Sequence, residues 1–142
     1  MTFENSKYSK LLDFRKLELP FGKLYITKQF LISELNEGIH VDYAMISKLI
    51  GKFSEDISND VKIGYIANRM NSYSFEPQLW IDFNNNYDFL VASAVVTYSD
   101  FGYLNSSLEK HFFKKSLKRC QSLDEAIEWM MNLDELKVEM PS

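Results

Sequence analysis

Cysteine is nearly absent from this chain. Cys120 stands alone among 142 residues, so neither an internal disulfide nor a cysteine-built zinc site is expected. Histidine is almost as scarce: His40 and His111 show no HExxH or comparable ligand spacing, and no metal or cofactor is expected. No GxGxxG or P-loop run occurs, which removes the usual nucleotide signatures. Basic charge is the minority sign, with a net charge of −4, and this argues against general nucleic-acid affinity. Long apolar runs are missing too. The longest, Phe89 to Val96, contains Ser93 and is far too short to span a membrane. With no cationic, apolar signal segment over Met1 to Ser9, the expected location is cytoplasmic.

What is present reads as an ordinary globular domain. Hydrophobic residues make up 46% and charged residues 25%, values that exclude general disorder. Aromatics reach 15%, enough to fill a core and leave some aromatic surface for an interface or a homodimer. No internal repeat, low-complexity tract or linker suggests a second domain. The expected division is a loose N-terminal arm over residues 1–13, one α/β domain over 14–135 and a tail over 136–142.

Periodicity supplies the elements. Leu17, Leu19 and Phe21 alternate with charged or small residues, as in a strand, which Pro20 and Gly22 bend or mark as an edge. Leu24 to Ile26 resume that strand, Lys28-Gln29 makes a tight turn, and Phe30 begins its antiparallel partner. Asp42 caps a helix whose Ile46, Leu49, Ile50 and Phe53 share one face. Val61 to Ala67 reads as a central strand. Pro77 then opens a short helix carrying Leu79, Trp80 and Phe83. Phe89 to Val96 is the most buried strand, and Leu104, Leu108 and Phe112 mark another helix face. Ser116 to Cys120 is a lysine-rich strand of edge character. Ser122 and Glu125 form a capping box ahead of Ala126, Ile127, Met130 and Leu133. Alternating strands and helices imply parallel pairing, so the expected fold is α/β, with one mixed sheet of about five strands opening on an antiparallel hairpin.

Three phrases carry a resemblance: FGKLYITKQFLISELNEG (Phe21 to Gly38), VKIGYIANRMNSYSFEP (Val61 to Pro77) and FFKKSLKRCQSLDEAIEWM (Phe112 to Met130). Together with the element order, they resemble STAS-like domains of the SpoIIAA-like type, related to bacterial anti-sigma-factor antagonists. The resemblance covers roughly residues 17 to 133, through motifs none of which is catalytic. It implies a regulatory protein-binding or ligand-binding module. In antagonist-type domains a serine at the N-terminus of the helix after the central strand is phosphorylated, and the phosphate blocks docking. The matching candidates here are Ser72 and Ser74. Asn71 stands where the family pattern favours an aspartate, and Tyr73 and Phe75 occupy expected small positions.

The carboxyl ends of parallel strands form the usual crevice for ligands and partners. There the expected site gathers Glu37, Arg69, Asn71, Ser72, Ser74 and Asp100, with Arg69 suited to a carboxylate or phosphate. The plainer alternative is that these serines and asparagines turn and cap the chain. Tyr73, Phe75 and Trp80, with Phe83, Tyr87 and Phe89, either fill the core or form an apolar patch. The basic run Lys110, His111, Lys114, Lys115, Lys118 and Arg119 reads better as helix-end and edge-strand charge than as a docking face. Basic neighbours can lower the Cys120 pKa, but no motif supplies a general base. No complete catalytic constellation is found. The leading expectation is therefore a non-enzymatic, STAS-like protein-interaction module docking through the loop after the central strand, switched by serine phosphorylation. The alternative, from another class, is a carrier of a small apolar or lipid-like ligand in an aromatic-lined pocket.

Overall fold

A computed structural model of the chain describes residues 1–54, 62–71, 73–76, 78–86, 89–99 and 116–136. Among the described residues, eight strands and four helices run in the order α1 (Tyr8–Leu11), β1 (Arg15–Leu19), β2 (Gly22–Ile26), β3 (Phe30–Leu35), β4 (His40–Val41), α2 (Tyr43–Ser54), β5 (Ile63–Arg69), β6 (Ser74–Phe75), α3 (Gln78–Asn86), β7 (Leu90–Thr97), β8 (Ser116–Cys120) and α4 (Leu123–Asn132). A 3-10 turn, Asp134–Leu136, follows α4.

Six strands form the main sheet in the order β1-β2-β3-β5-β7-β8. The pairs β1-β2 and β2-β3 are antiparallel, while β3-β5, β5-β7 and β7-β8 are parallel. The mixed architecture is the expected one, with one strand more than the expected five or so. The difference arises at Pro20-Phe21, where the chain turns back fully instead of bending. Gly22 makes that reversal possible: at its φ of +155, an added Cβ would stand 2.6 Å from the Glu34 carbonyl oxygen. The two-residue turn at Lys28-Gln29 forms as expected, closed by the Thr27 N–H donating to the Phe30 carbonyl at 2.9 Å. The Thr27 hydroxyl reinforces it from the side.

Alternation along the strands divides the interior into two layers. On one face, Leu24, Leu31, Leu35, Tyr65, Ala67 and Val95 pack with Ile46 and Leu49 of α2 and Leu79 of α3. On the other, Tyr25, Ile32, Ile66, Ala94 and Val96 pack with Ile127 and Met130 of α4. Asp42 caps α2 through the Met45 N–H, at 3.0 Å. Ser122 caps α4 through the Glu125 N–H at 3.1 Å, and the Glu125 carboxylate reaches back to the Gln121 N–H at 3.1 Å. The segment expected to carry a helix face through Leu104, Leu108 and Phe112 lies outside the described residues.

The N-terminal residues are not loose. Phe3 and Tyr8 are buried in the same layer as α4. Phe3 stacks edge-on against Phe14 and tilted against Tyr25, with ring centroids 5.0 Å away in each case. The Tyr8 hydroxyl donates to Glu128 of α4 at 3.0 Å, and burial together with that carboxylate raises the tyrosine's pKa. Polar composition hides this attachment, because two aromatic anchors are enough to hold a dozen residues. At the other end Leu136 is buried, and its carbonyl accepts from Gln29 at 3.0 Å.

Candidate functional site

The parallel strands β3, β5 and β7 deliver their carboxyl ends to one rim, and alternation gives that rim two sides. Leu35, Arg69 and the β4-β6 loops belong to the α2/α3 side. Glu34 and Asn68 belong to the side of α4 and the N-terminal segment.

On the α2/α3 side, two loops are stitched together. β4 and β6 pair in parallel, His40 opposite Ser74 and Val41 opposite Phe75. The backbone N–H groups of Ser74 and Glu76 donate to Ile39 and Val41, each at 3.0 Å. Asn71 anchors the loop below by donating to the Leu35 carbonyl at 3.0 Å. Asn71 therefore does the turn-holding job that its residue type favours.

Alternation within β6 then sorts the expected site residues. Tyr73 and Phe75 are half-buried and turn toward the α2/α3 core, with the Arg69 guanidinium 5.5 and 5.7 Å from their ring centres. Ser74 and Glu76 point the other way, into solvent. The structure thus does not join Arg69 to Ser74, because a β-strand sends neighbouring side chains to opposite faces. Tyr73 and Phe75 belong to a layer covered by that arginine rather than to an open apolar patch. Glu37 is exposed in the turn after β3. Ser72, Asp100 and the Trp80 side chain lie outside the described residues, as do Lys110 to Lys115.

Ser74 instead meets a residue that sequence reasoning passed over. Its hydroxyl shares a 2.7 Å hydrogen bond with His40 Nδ1, and His40 Nε2 stands 3.8 Å from a Glu76 carboxylate oxygen. Serine, histidine and carboxylate in sequence suggest nucleophilic catalysis. Three features weigh against it. The histidine and glutamate side chains are 55% and 49% exposed, so water screens both interactions. The 3.8 Å separation exceeds a hydrogen bond. The Ser74 and Glu76 N–H groups are already committed to the β4 ladder, so neither is available to stabilise an oxyanion. No signal in the linear sequence links residues 40 and 74, because their contact depends on the short parallel ladder.

Cys120 is fully buried, and burial pushes its thiol up to about 12, overriding Lys118. That corrects the expectation of a lowered pKa: the cysteine side chain points into the α4 layer rather than along the basic edge. Lys118 and Arg119 are half-buried on β8, which is an edge of the sheet as expected. Among the described residues no group of three or more His, Cys, Asp or Glu is placed to hold a metal ion. None of the helices among them is long and apolar enough to cross a membrane.

No family model matches the chain, and no curated protein matches it by sequence. Its backbone is similar to the crystal structure of an uncharacterized protein of the DUF3478 family from Shewanella loihica PV-4, described as having a SpoIIAA-like fold. The two superpose with a TM-score of 0.51 over 84% of this chain and 93% of that one, at 5% identity. The fold is SpoIIAA-like. At so low an identity the likeness concerns architecture alone, and no residue's role passes from one protein to the other.

On the α4 side of the rim, the SpoIIAA-like sheet carries a polar cluster that the sequence does not announce. Glu34 is 7% exposed and Asn68 1% exposed. Glu34 Oε2 accepts from the Phe3 N–H at 2.7 Å and from Asn68 Nδ2 at 2.9 Å. Asn68 Nδ2 also donates to the Met1 carbonyl at 3.0 Å, and its Oδ1 accepts from the Tyr98 hydroxyl at 2.6 Å. Burial and the neighbouring Glu34 charge push the Tyr98 hydroxyl up to about 12. Within strands that otherwise read as apolar, these polar positions were the available signal.

Proposed function

We propose that this chain is a non-enzymatic regulatory module that docks a protein partner through the loop after β5, and that phosphorylation of Ser74 switches the docking. The observation that favours it is the placement of Ser74: an exposed hydroxyl on a strand held by main-chain hydrogen bonds, flanked by His40 and Glu76. A kinase requires a reachable hydroxyl, and a docking surface benefits from a loop that is already ordered. Phosphate on Ser74 would bring close to two negative charges beside Glu76 and offer His40 a strong acceptor. Repulsion by Glu76 and the new charge on the surface would reduce docking of a partner that fits the neutral loop.

The test combines two measurements. Mass spectrometry of the protein from its native cells should find phosphate on Ser74. A pull-down should retain one partner with wild type and Ser74→Ala and lose it with Ser74→Asp. Unmodified Ser74 under all growth conditions, together with equal retention by Ser74→Asp, would overturn the reading.

A further inference from the structure

Residues 1–6 lie on the sheet as a bound peptide does. The Phe3 ring is 0% exposed between Phe14 and Tyr25. A buried carboxylate reads the Phe3 N–H, and Asn68 reads the Met1 carbonyl. The next side chain, Glu4, is met by Lys16 Nζ at 3.2 Å and by the Tyr25 hydroxyl at 2.8 Å. These contacts hold the Glu4 carboxyl below its usual pKa, through Tyr25 first and Lys16 second.

We propose that this groove is a recognition site for a peptide segment of another protein, specific for an aromatic residue followed by an acid, and that the chain's own N-terminal segment fills it as an internal competitor. Three features carry the proposal. The groove has its Met1 end at the rim where open α/β sheets bind ligands, beside Asn68 and Tyr98 near the carboxyl ends of β5 and β7, and its Phe3 and Glu4 end on the sheet face over Tyr25 of β2 and Lys16 of β1. It places a carboxylate and an amide in nearly complete burial, where a simple core contact would use apolar side chains and avoid the desolvation cost. Every group that it reads is one that a segment in trans can present: a main-chain N–H, a main-chain carbonyl, an aromatic ring and a carboxylate. Main-chain reading gives affinity, while the Phe14/Tyr25 slot and Lys16 give specificity, the division of labour found in peptide-binding domains. This site is on the opposite face of the sheet from Ser74, so the two readings stand or fall separately.

The test uses the full-length chain carrying Phe3→Ala and Glu4→Ala, which weaken the internal segment, and a fluorescent peptide of sequence MTFENSKY. Saturable binding to the variant is expected. Wild type should bind at least about tenfold more weakly, since a tethered segment competes at an effective concentration of order millimolar. A peptide with alanine in place of its phenylalanine should bind at least about tenfold more weakly, and Lys16→Ala in the chain should cost a further severalfold. A folded variant that shows no saturable binding up to about 1 mM peptide, or binding indifferent to the phenylalanine, would overturn the proposal. Should the variant not fold, wild type answers the same question: excess peptide should accelerate exchange of the Phe3 amide hydrogen. Unchanged exchange there would equally overturn it.

Discussion

Replacing Phe3 by alanine tests whether the N-terminal segment is part of the folded domain. The ring is completely buried between two aromatic side chains, and truncating such a phenylalanine typically costs about 3–5 kcal/mol. The segment has another way to respond. It can detach from the sheet while the strands stay folded, and detachment limits the loss to the docking free energy of the segment itself. A loss of about 2–4 kcal/mol is therefore expected, or roughly 6–15 °C in melting temperature for a domain of this length. Urea unfolding gives the first number. Amide exchange then separates the two routes, because the residue-3 N–H donates to Glu34 and the Ser6 N–H donates to the Phe3 carbonyl at 3.0 Å. Detachment removes protection at residues 3 and 6 while Ile66 and Val95 keep theirs. A stability change below about 0.5 kcal/mol, or a wild-type Phe3 amide that exchanges like an unstructured peptide, would refute the reasoning.

Three further outcomes follow from single contacts. Gly22→Ala should destabilise by about 2–4 kcal/mol in urea, since the new methyl meets the Glu34 carbonyl oxygen and the Leu35 Cα, backbone atoms that cannot swing aside. Ser122→Ala should cost about 1 kcal/mol by removing the α4 cap, whereas Ser122→Gly should cost only a few tenths. Stability should also fall on alkalinisation. Tyr25 and Tyr98 both have pKa values raised above the ordinary 10.0, chiefly by burial, so the folded state holds their protons more tightly than the unfolded chain does. Their contribution is fully present below about pH 10 and is lost as pH climbs toward the folded values. The urea midpoint measured between about pH 9 and 11 should drop, and less steeply in Tyr98→Phe.

The architecture was legible because it rests on periods. Alternation at Leu17, Leu19 and Phe21, the short apolar runs Leu24 to Ile26 and Phe30 to Ile32, the helical spacing of Ile46 and Leu49, and the box at Ser122 and Glu125 are local patterns, and local patterns survive without knowledge of tertiary contacts. The site was legible only as a place. Arg69, Asn71 and Ser74 stand at the rim, yet their roles differ: Arg69 lies over the nearby rings of Tyr73 and Phe75, whereas Asn71 and Ser74 depend on partners far along the chain, the Leu35 carbonyl and His40. The anchoring of Phe3 was invisible for the same reason. Its slot is assembled from Phe14, Tyr25 and a carboxylate 31 residues away.

The split of the rim into two faces has a consequence for how substitutions combine. Among the described residues Phe3 and Ser74 share no hydrogen-bond partner, and the sheet separates them: Phe3 is bound through Glu34 on the α4 face, whereas Ser74 is bound through the β4 ladder on the other. Adjacent residues of β3 serve the two sides, with Glu34 reading the N-terminal segment and Leu35 accepting from Asn71. A rigid sheet that merely supports both would give additive effects. Phe3→Ala combined with Ser74→Asp should then change stability by the sum of the single effects, to within about 0.5 kcal/mol. A coupling energy above about 1 kcal/mol would mean that β3 shifts when either loop changes, and that filling the groove on one face alters the docking loop on the other. Partner retention measured on the same four proteins would report the direction of that shift, since a coupled sheet must affect binding and stability through the same displacement.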